Sequence, residues 1–284
     1  MRTNHSVPAD AAGISRPSII PSGDRASTAD RLMSKVPQVT LMFWVIKILA
    51  TTLGETGGDA VTMTLKLGYK VGSLIFLGFF AVTLAAQVSI RRFHPLIYWA
   101  VVVATTTVGT TMSDYLDRTV GLGYVKSSIM LFCGVLLLLA IWRLTLGRIE
   151  FENIADRRQE TFYWLTILVS NTLGTALGDF TADDLGLGFE KGALVFATLI
   201  AIVAAAHYLT RIPDAVLFWA AYILTRPLGA TLGDTLTKPH SEGGLDLSRI
   251  TSSAVIAVAM IVLIVIVNRR SPRAANDIGH VATA

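Results

Sequence analysis

The stretch YWLTILVSNTLGTALGD, residues 163–179, begins with an aromatic pair, continues through an apolar run and ends in small residues followed by an aspartate. The same pattern recurs at 43–59, 98–114 and 218–234, as FWVIKILATTLGETGGD, YWAVVVATTTVGTTMSD and FWAAYILTRPLGATLGD. In every copy a glycine lies ten residues after the tryptophan, and the aspartate lies five residues after that glycine. An identical register in four segments indicates an internal repeat, which governs every further inference about the fold.

The composition is typical of a membrane protein. Of the 284 residues, 52% are hydrophobic and only 15% are charged, and the mean hydropathy of +0.58 exceeds that of soluble domains. A second apolar run without charge follows each aspartate, as in 71–90, and is long enough to cross a hydrocarbon core of about 30 Å. Each repeat therefore predicts two spans. The predicted fold class is an all-α polytopic membrane protein with eight transmembrane helices.

The repeats define the domain organisation. We expect a membrane domain at 37–267, with repeats near 39–90, 95–145, 161–209 and 214–267. Residues 1–36, rich in Ser, Pro, Ala and Asp, predict a disordered cytosolic tail, and 268–284 predict a second cytosolic tail.

The distribution of charge predicts the topology. Because each repeat crosses the membrane twice, the four repeats are parallel and not inverted. Arginine and lysine are concentrated in the tails and in the connections between repeats, which places both termini in the cytoplasm by the positive-inside rule. The basic residues form no single patch, so nucleic acid is not an expected partner, whereas the lipid bilayer is.

With four tandem two-helix units and a repeated tryptophan, the chain resembles a bacterial multi-pass inner-membrane family of uncharacterised function. The resemblance covers residues 39–267 and rests on the W-x9-G-x4-D spacing. It implies the fold and a location in the bacterial cytoplasmic membrane. It implies no catalytic role, since the family has no settled activity.

Each repeat carries a small residue four positions after its glycine, the small-xxx-small pattern that lets helices approach closely. The repeated glycines are Gly54, Gly109, Gly174 and Gly229. Close helix packing is the leading interpretation, and the alternative is that the glycines let the helix unwind around an ion. The tryptophans are expected to anchor the helices at the interface between membrane and water. Lys47 is expected to extend its ammonium to the membrane surface.

The repeated carboxylates are the candidate site. They are Asp59, Asp114, Asp179 and Asp234. At 100° per residue they share a helix face with the repeated glycines and with Thr52, Thr107 and Thr172. They either end each span at the headgroup level or face the interior. The second, chargeless helix of each repeat favours an inner set of four odd-numbered helices, in which the aspartates meet at one depth.

Other polar residues break the symmetry. Glu55 and Asn171 differ from their counterparts, and Arg226 lies well inside its span. A buried arginine requires a carboxylate, for which Glu55 has a comparable depth, although Arg226 could instead extend to the surface. The aspartates and Glu55 form an oxygen-rich set suited to Mg²⁺, Ca²⁺ or Mn²⁺.

The sequence contains no nucleophile elbow, phosphate loop, dinucleotide fingerprint or HExxH motif, so we expect neither an enzyme nor a bound cofactor. The leading hypothesis is a cytoplasmic-membrane transporter of a small cation. The oxygen ligands favour a divalent metal ion as the cargo, which exchanges for protons. The alternatives are a membrane scaffold or partner-binding protein, and a cation channel. No feature of the sequence indicates an oligomer.

Overall fold

A computed structural model describes residues 35–90, 93–149, 151, 154 and 156–281, with backbone alone from 270 onwards. These residues form eight α-helices and no strand, which confirms the all-helical fold. The helices are α1 (Leu41–Asp59), α2 (Gly68–Ser89), α3 (Pro95–Asp114), α4 (Tyr124–Leu146), α5 (Arg157–Asp179), α6 (Gly188–Leu209), α7 (Asp214–Thr237) and α8 (Arg249–Val281).

Local sequence signals set several helix ends. The hydroxyl of Thr40 accepts a hydrogen bond from the Phe43 amide at 3.3 Å, and the Asp156 carboxylate accepts one from the Arg158 amide at 3.0 Å. Each side chain thereby caps an N-terminus, of α1 and α5 respectively. Gly147 ends α4 in the left-handed conformation that glycine adopts readily.

The first helices of the four repeats form a closed ring. Helix α1 packs against α3, α3 against α5, α5 against α7, and α7 returns to α1. The second helix of each repeat covers the first helix of the next one: α2 packs on α3, α4 on α5, α6 on α7, and α8 on α1. The predicted division into an inner and an outer set is therefore confirmed.

Burial differs between the two sets. In the most apolar stretches of α3 and α7, 72% and 67% of the residues are buried, compared with 11–17% in the four outer helices. Within the described residues, six helices are long and apolar enough to cross a membrane, namely α2, α3, α4, α6, α7 and α8. Helices α1 and α5 are more polar, which a spanning helix tolerates when its polar face is turned towards protein instead of lipid.

The repeated glycines are the points of closest approach within the ring. Each lies against the residue seven positions after the tryptophan of a neighbouring repeat: Gly54 against Thr106, Gly109 against Asn171, Gly174 against Arg226, and Gly229 against Thr51. Because equivalent residues meet at every interface, the inner helices lie at one depth and run in one direction. The packing interpretation of the small-residue pattern is confirmed.

Two observations concern the predicted bounds of the membrane domain. Lys35 and Val36, assigned to the tail, are buried, whereas the rest of that tail, 1–34, lies outside the described residues. Helix α8 continues to Val281, past the predicted boundary at 267, although its stretch apolar enough to cross a membrane ends at Arg269.

The tryptophans do not form an interfacial belt, so the anchoring prediction is wrong for three of the four. Trp99, Trp164 and Trp219 are buried, while Trp44 is partly buried. The parallel ring brings the four aromatic pairs to one depth, where they pack on one another instead of facing lipid. Their contacts include Tyr98 with Trp164, whose ring centroids lie 5.6 Å apart. This aromatic cluster, built on the repeated aromatic pairs, closes one end of the ring.

The glycine contacts predict the effect of a single methyl group. A Cβ at Gly109 would lie 2.8 Å from the Asn171 carbonyl carbon and 3.0 Å from the Thr172 nitrogen, both backbone atoms that cannot move aside. We expect Gly109→Ala to lower the free energy of unfolding by about 1–3 kcal/mol, as overpacking does. The measurement is thermal unfolding of the purified protein in detergent.

Gly78→Ala is the matched control. Gly78 also lies within a helix, but a Cβ there meets no atom within 4 Å. The control variant should unfold at or above the wild-type temperature. Equal unfolding temperatures for the two variants would contradict the proposed role of the glycine contacts.

Candidate functional site

The interior of the ring is polar over much of its length, beginning next to the aromatic cluster with Lys47. This side chain is fully buried, and its ammonium lies 4.1 Å from the ring centroid of Tyr222. The prediction that Lys47 extends to the membrane surface is wrong, because it lies on the side of α1 that faces α7. The ring face of Tyr222 offers the ammonium a cation–π contact.

Arg226 lies further along the ring and pairs with Glu55, as the sequence indicated. The Arg226 Nη2 atom lies 2.9 Å from Glu55 Oε2 and donates hydrogen bonds to the hydroxyls of Thr110 and Thr175. Glu55, Thr110 and Thr175 are equivalent positions of three repeats, so three inner helices converge on one guanidinium. The side chain is fully buried, which excludes the alternative that it extends to the surface.

All four repeated aspartates are buried, with 1–4% of each residue exposed. Their burial favours the interpretation in which they face the interior of the ring. Carboxylate oxygens of Glu55, Asp59 and Asp234 lie within 4.8 Å of one another and form a candidate metal group. Asp114 and Asp179 lie outside this group, although Asp179 interacts electrostatically with both Asp114 and Glu55. The structure thus brings together three of the five predicted residues and leaves Asp114 and Asp179 apart from them.

Three basic side chains join the aspartates, and the sequence analysis did not include them. The pairs are Arg118 with Asp114 at 3.1 Å, Lys238 with Asp234 at 3.5 Å, and Arg249 with Asp59 at 3.5 Å. The first two could have been recognised from their spacing, four residues after an aspartate on the same helix. Arg249 could not, because it comes from the start of α8, in another repeat.

The basic side chains nearly neutralise the cluster. Burial lowers the pKa of Lys238, but Asp234, Asp59 and Asp179 raise it by more, so this pKa lies above its ordinary value and the ammonium stays protonated. The five carboxylates face Lys238, Arg118, Arg226 and Arg249, and thus outnumber the basic groups by one. A cation entering the cluster would have to replace a basic side chain as the countercharge.

The helices change form at the aspartates and not at the glycines. Helices α1, α3 and α5 remain regular through their repeated glycines, as the packing interpretation requires. Directly after the aspartates of these three helices a π-helical turn follows, at Ala60–Thr64, Tyr115–Thr119 and Phe180–Asp184. Such turns often occur at functional sites. Helix α7 has none and continues past Asp234 to Thr237.

The remaining predicted site residues are buried but support the helices. Thr52, Thr107 and Thr172 donate hydrogen bonds to carbonyls of their own helices, at 3.0, 2.9 and 3.0 Å. Asn171 donates to the Thr105 hydroxyl at 3.0 Å, and its Oδ1 has no hydrogen-bond partner among the described residues. We therefore place these four residues in the packing between helices.

The sequence was compared with known proteins. The sequence model of a family described as Repeat of Unknown Function (DUF347) matches the chain four times, at residues 42–93, 97–147, 162–212 and 217–271. Each match spans one observed helix pair, which confirms the resemblance to an uncharacterised family of tandem repeats. No curated protein and no solved structure matches the chain.

The buried pair of Arg226 and Glu55 leads to a stability prediction. We expect Arg226→Met to lower the free energy of unfolding by about 3–5 kcal/mol, because it leaves Glu55 buried without its countercharge. The double variant Arg226→Met with Glu55→Gln should recover most of this loss, since neither charge remains. The measurement is thermal unfolding in detergent.

The control for that series is Arg211→Met, which removes an arginine from an exposed position. Its stability should stay within about 0.5 kcal/mol of wild type. If the double variant were no more stable than Arg226→Met, the charge-pair interpretation would be wrong.

Proposed function

The chain belongs to the DUF347 repeat family, and we propose that it is a membrane transporter of a small cation, bound by carboxylates inside the ring. In this proposal all eight helices span a bacterial cytoplasmic membrane and both termini are cytoplasmic. The protein is not an enzyme and needs no cofactor. The cation is the cargo, and protons or the basic side chains replace it when it leaves.

The observation that carries the proposal is the close grouping of three buried carboxylates, two of which have only long ion pairs on one oxygen. Asp59 Oδ2 and Asp234 Oδ1 accept no hydrogen bond among the described residues, and their basic partners lie 3.5 Å away. One carboxylate oxygen from each of Glu55, Asp59 and Asp234 lies within 4.8 Å of the other two. Ligand oxygens on opposite sides of Ca²⁺ are about 5 Å apart, so one hard divalent cation can contact all three carboxylates.

The long ion pairs support exchange at this group. Arg249 and Lys238 approach Asp59 and Asp234 at 3.5 Å, whereas a charge-assisted hydrogen bond measures about 2.7–2.9 Å. A divalent cation can therefore displace these side chains more easily than it could displace Arg226 from Glu55. Because Arg249 begins α8, its release would couple cation binding to movement of an outer helix.

Access to the group is asymmetric, which supports a carrier over a channel. The aromatic cluster closes one end of the ring, where Lys35 also bridges to Glu160 at 2.8 Å. At the other end the Arg118 and Arg249 side chains are 34% and 22% exposed. In this conformation a cation would enter from the aspartate end. By the positive-inside rule this end lies on the side of the membrane opposite the cytoplasm.

A scaffold is the second candidate function, and the same ion pairs favour it. Three of the four aspartates have a basic partner, and such pairs could serve only to hold the helix ends together. In a scaffold the aspartates matter for stability alone, and no metal ion changes that stability. The two functions therefore differ in their response to metal.

Transport is tested with Mn²⁺ uptake into proteoliposomes containing the purified full chain. We expect uptake by wild type above that of empty liposomes, and about ten- to a hundredfold less by Asp59→Asn or Asp234→Asn, because each change removes a charged ligand worth about 1.5–3 kcal/mol. Asp184→Asn is the matched control, since Asp184 is an exposed acid beyond the end of α5, and it should transport like wild type.

A binding measurement separates the carrier from the scaffold. Mn²⁺ should raise the unfolding temperature of wild type and of Asp184→Asn, but not that of the double variant Asp59→Asn with Asp234→Asn. Wild-type uptake no greater than that of empty liposomes, together with no effect of Mn²⁺ on unfolding, would exclude the transporter.

A further inference from the structure

A second group of unsatisfied polar side chains lies between the aromatic cluster and the carboxylates. It consists of Lys47 Nζ, Tyr222 OH and the Nε and Nη1 atoms of Arg226. All three residues are fully buried, and none of these atoms has a hydrogen-bond partner among the described residues. The group is rich in donors, since both cations can only donate and a phenol donates one proton.

These side chains lie together at the interface between α1 and α7. The Lys47 ammonium lies over the ring of Tyr222, and Arg226 follows Tyr222 by one helical turn on α7. The Thr51 hydroxyl lies 3.2 Å from the Lys47 carbonyl and 3.1 Å from the Thr225 carbonyl, which holds the Lys47 turn beside Arg226.

The charges in this part of the ring do not balance. Glu55 forms its ion pair with Nη2 of Arg226, and no ion pair of Lys47 occurs within the described residues. Asp59, Asp114 and Asp234 are already paired with other basic side chains. Lys47 lies twelve residues before Asp59, about 18 Å along α1, so the aspartates cannot contact its ammonium. An ammonium on Lys47 therefore has no countercharge in contact with it among the described residues, and a charge without such a partner is costly in the interior.

We propose that a small monovalent anion binds between Lys47 and Arg226. The two cations attract the anion, and the Tyr222 hydroxyl and the free N–H groups of Arg226 donate hydrogen bonds to it. Chloride has the charge and the acceptor character that these groups require. The site lies apart from the candidate metal group, and it does not depend on the cation transport proposed above.

The test compares two sodium salts at equal ionic strength, without divalent metal. The purified full chain in lipid nanodiscs should unfold at a higher temperature in chloride than in gluconate, an anion too large for an enclosed site. Lys47→Met should abolish the difference between the salts, and Tyr222→Phe should reduce it. Lys191→Met, at an exposed lysine, is the matched control and should keep the full difference.

The decisive quantity is the difference in unfolding temperature between chloride and gluconate. Lys47→Met also changes the unfolding temperature by an amount that is the same in both salts, and this amount cancels in the difference. Should that variant not fold, Tyr222→Phe alone decides, because it removes one donor and keeps the aromatic ring. Equal unfolding temperatures of wild type in chloride and gluconate would overturn the proposal, as would an undiminished difference in Lys47→Met.

Crystals grown in sodium bromide provide the position of the anion. An anomalous peak is expected between Lys47 and Arg226 in wild type and not in Lys47→Met, and its absence from wild type would contradict the proposal. The double variant Asp59→Asn with Asp234→Asn should keep the chloride effect. The proposed anion site and the proposed metal site can therefore be disproved independently of each other.

Discussion

The close approach of the inner helices at the repeated glycines is the constraint on which the rest of the structure depends. At each of four interfaces a glycine lies against the side chain or backbone of a larger residue from a neighbouring repeat. In the membrane that we propose for this protein, lipid would offer no hydrophobic drive for helices to associate, so close contact at small residues would hold them together. Because the contacting positions are equivalent in every repeat, the ring closes with all inner helices in one register. That register brings the aromatic pairs to one end and the aspartates to the other.

Closure of the ring also explains the division of polarity. The outer helices expose apolar side chains, such as Leu74, Leu137 and Leu194, and bury few residues. They shield the inner helices, whose interior can then be polar without contacting lipid. Since α8 packs on α1, the last repeat covers the first and no inner helix is left uncovered. A chain with 52% hydrophobic residues can in this way hold five buried carboxylates.

The repeat spacing was sufficient to predict the helices, their two layers and close packing at the glycines. The depth of Arg226 in its span indicated Glu55 as a partner but left open that Arg226 extends to the surface. The predictions that failed concerned side chains whose surroundings are set by particular residues of neighbouring repeats. The burial of Trp99 and of Lys47 follows from packing against neighbouring inner helices, which a pattern within one repeat does not contain. Arg249 reaches Asp59 only because α8 returns to α1. The sequence likewise placed five acids at one site without showing that three of them form the closer group.

The backbone of the ring has a near fourfold repetition, but its charged chemistry is concentrated at the interface between α1 and α7. Lys47 and Glu55 come from the first repeat, and Tyr222 and Arg226 from the fourth. The candidate metal group also joins these two helices, through Asp59 and Asp234. Helix α7 alone lacks the π-helical turn after its aspartate, and α8 binds Asp59 from outside. This interface keeps the glycine contact of the other three, Gly229 against Thr51, so it differs from them in its buried charges and not in its backbone packing. The junction of the first and last repeats is therefore where the chemistry of the ring is specialised.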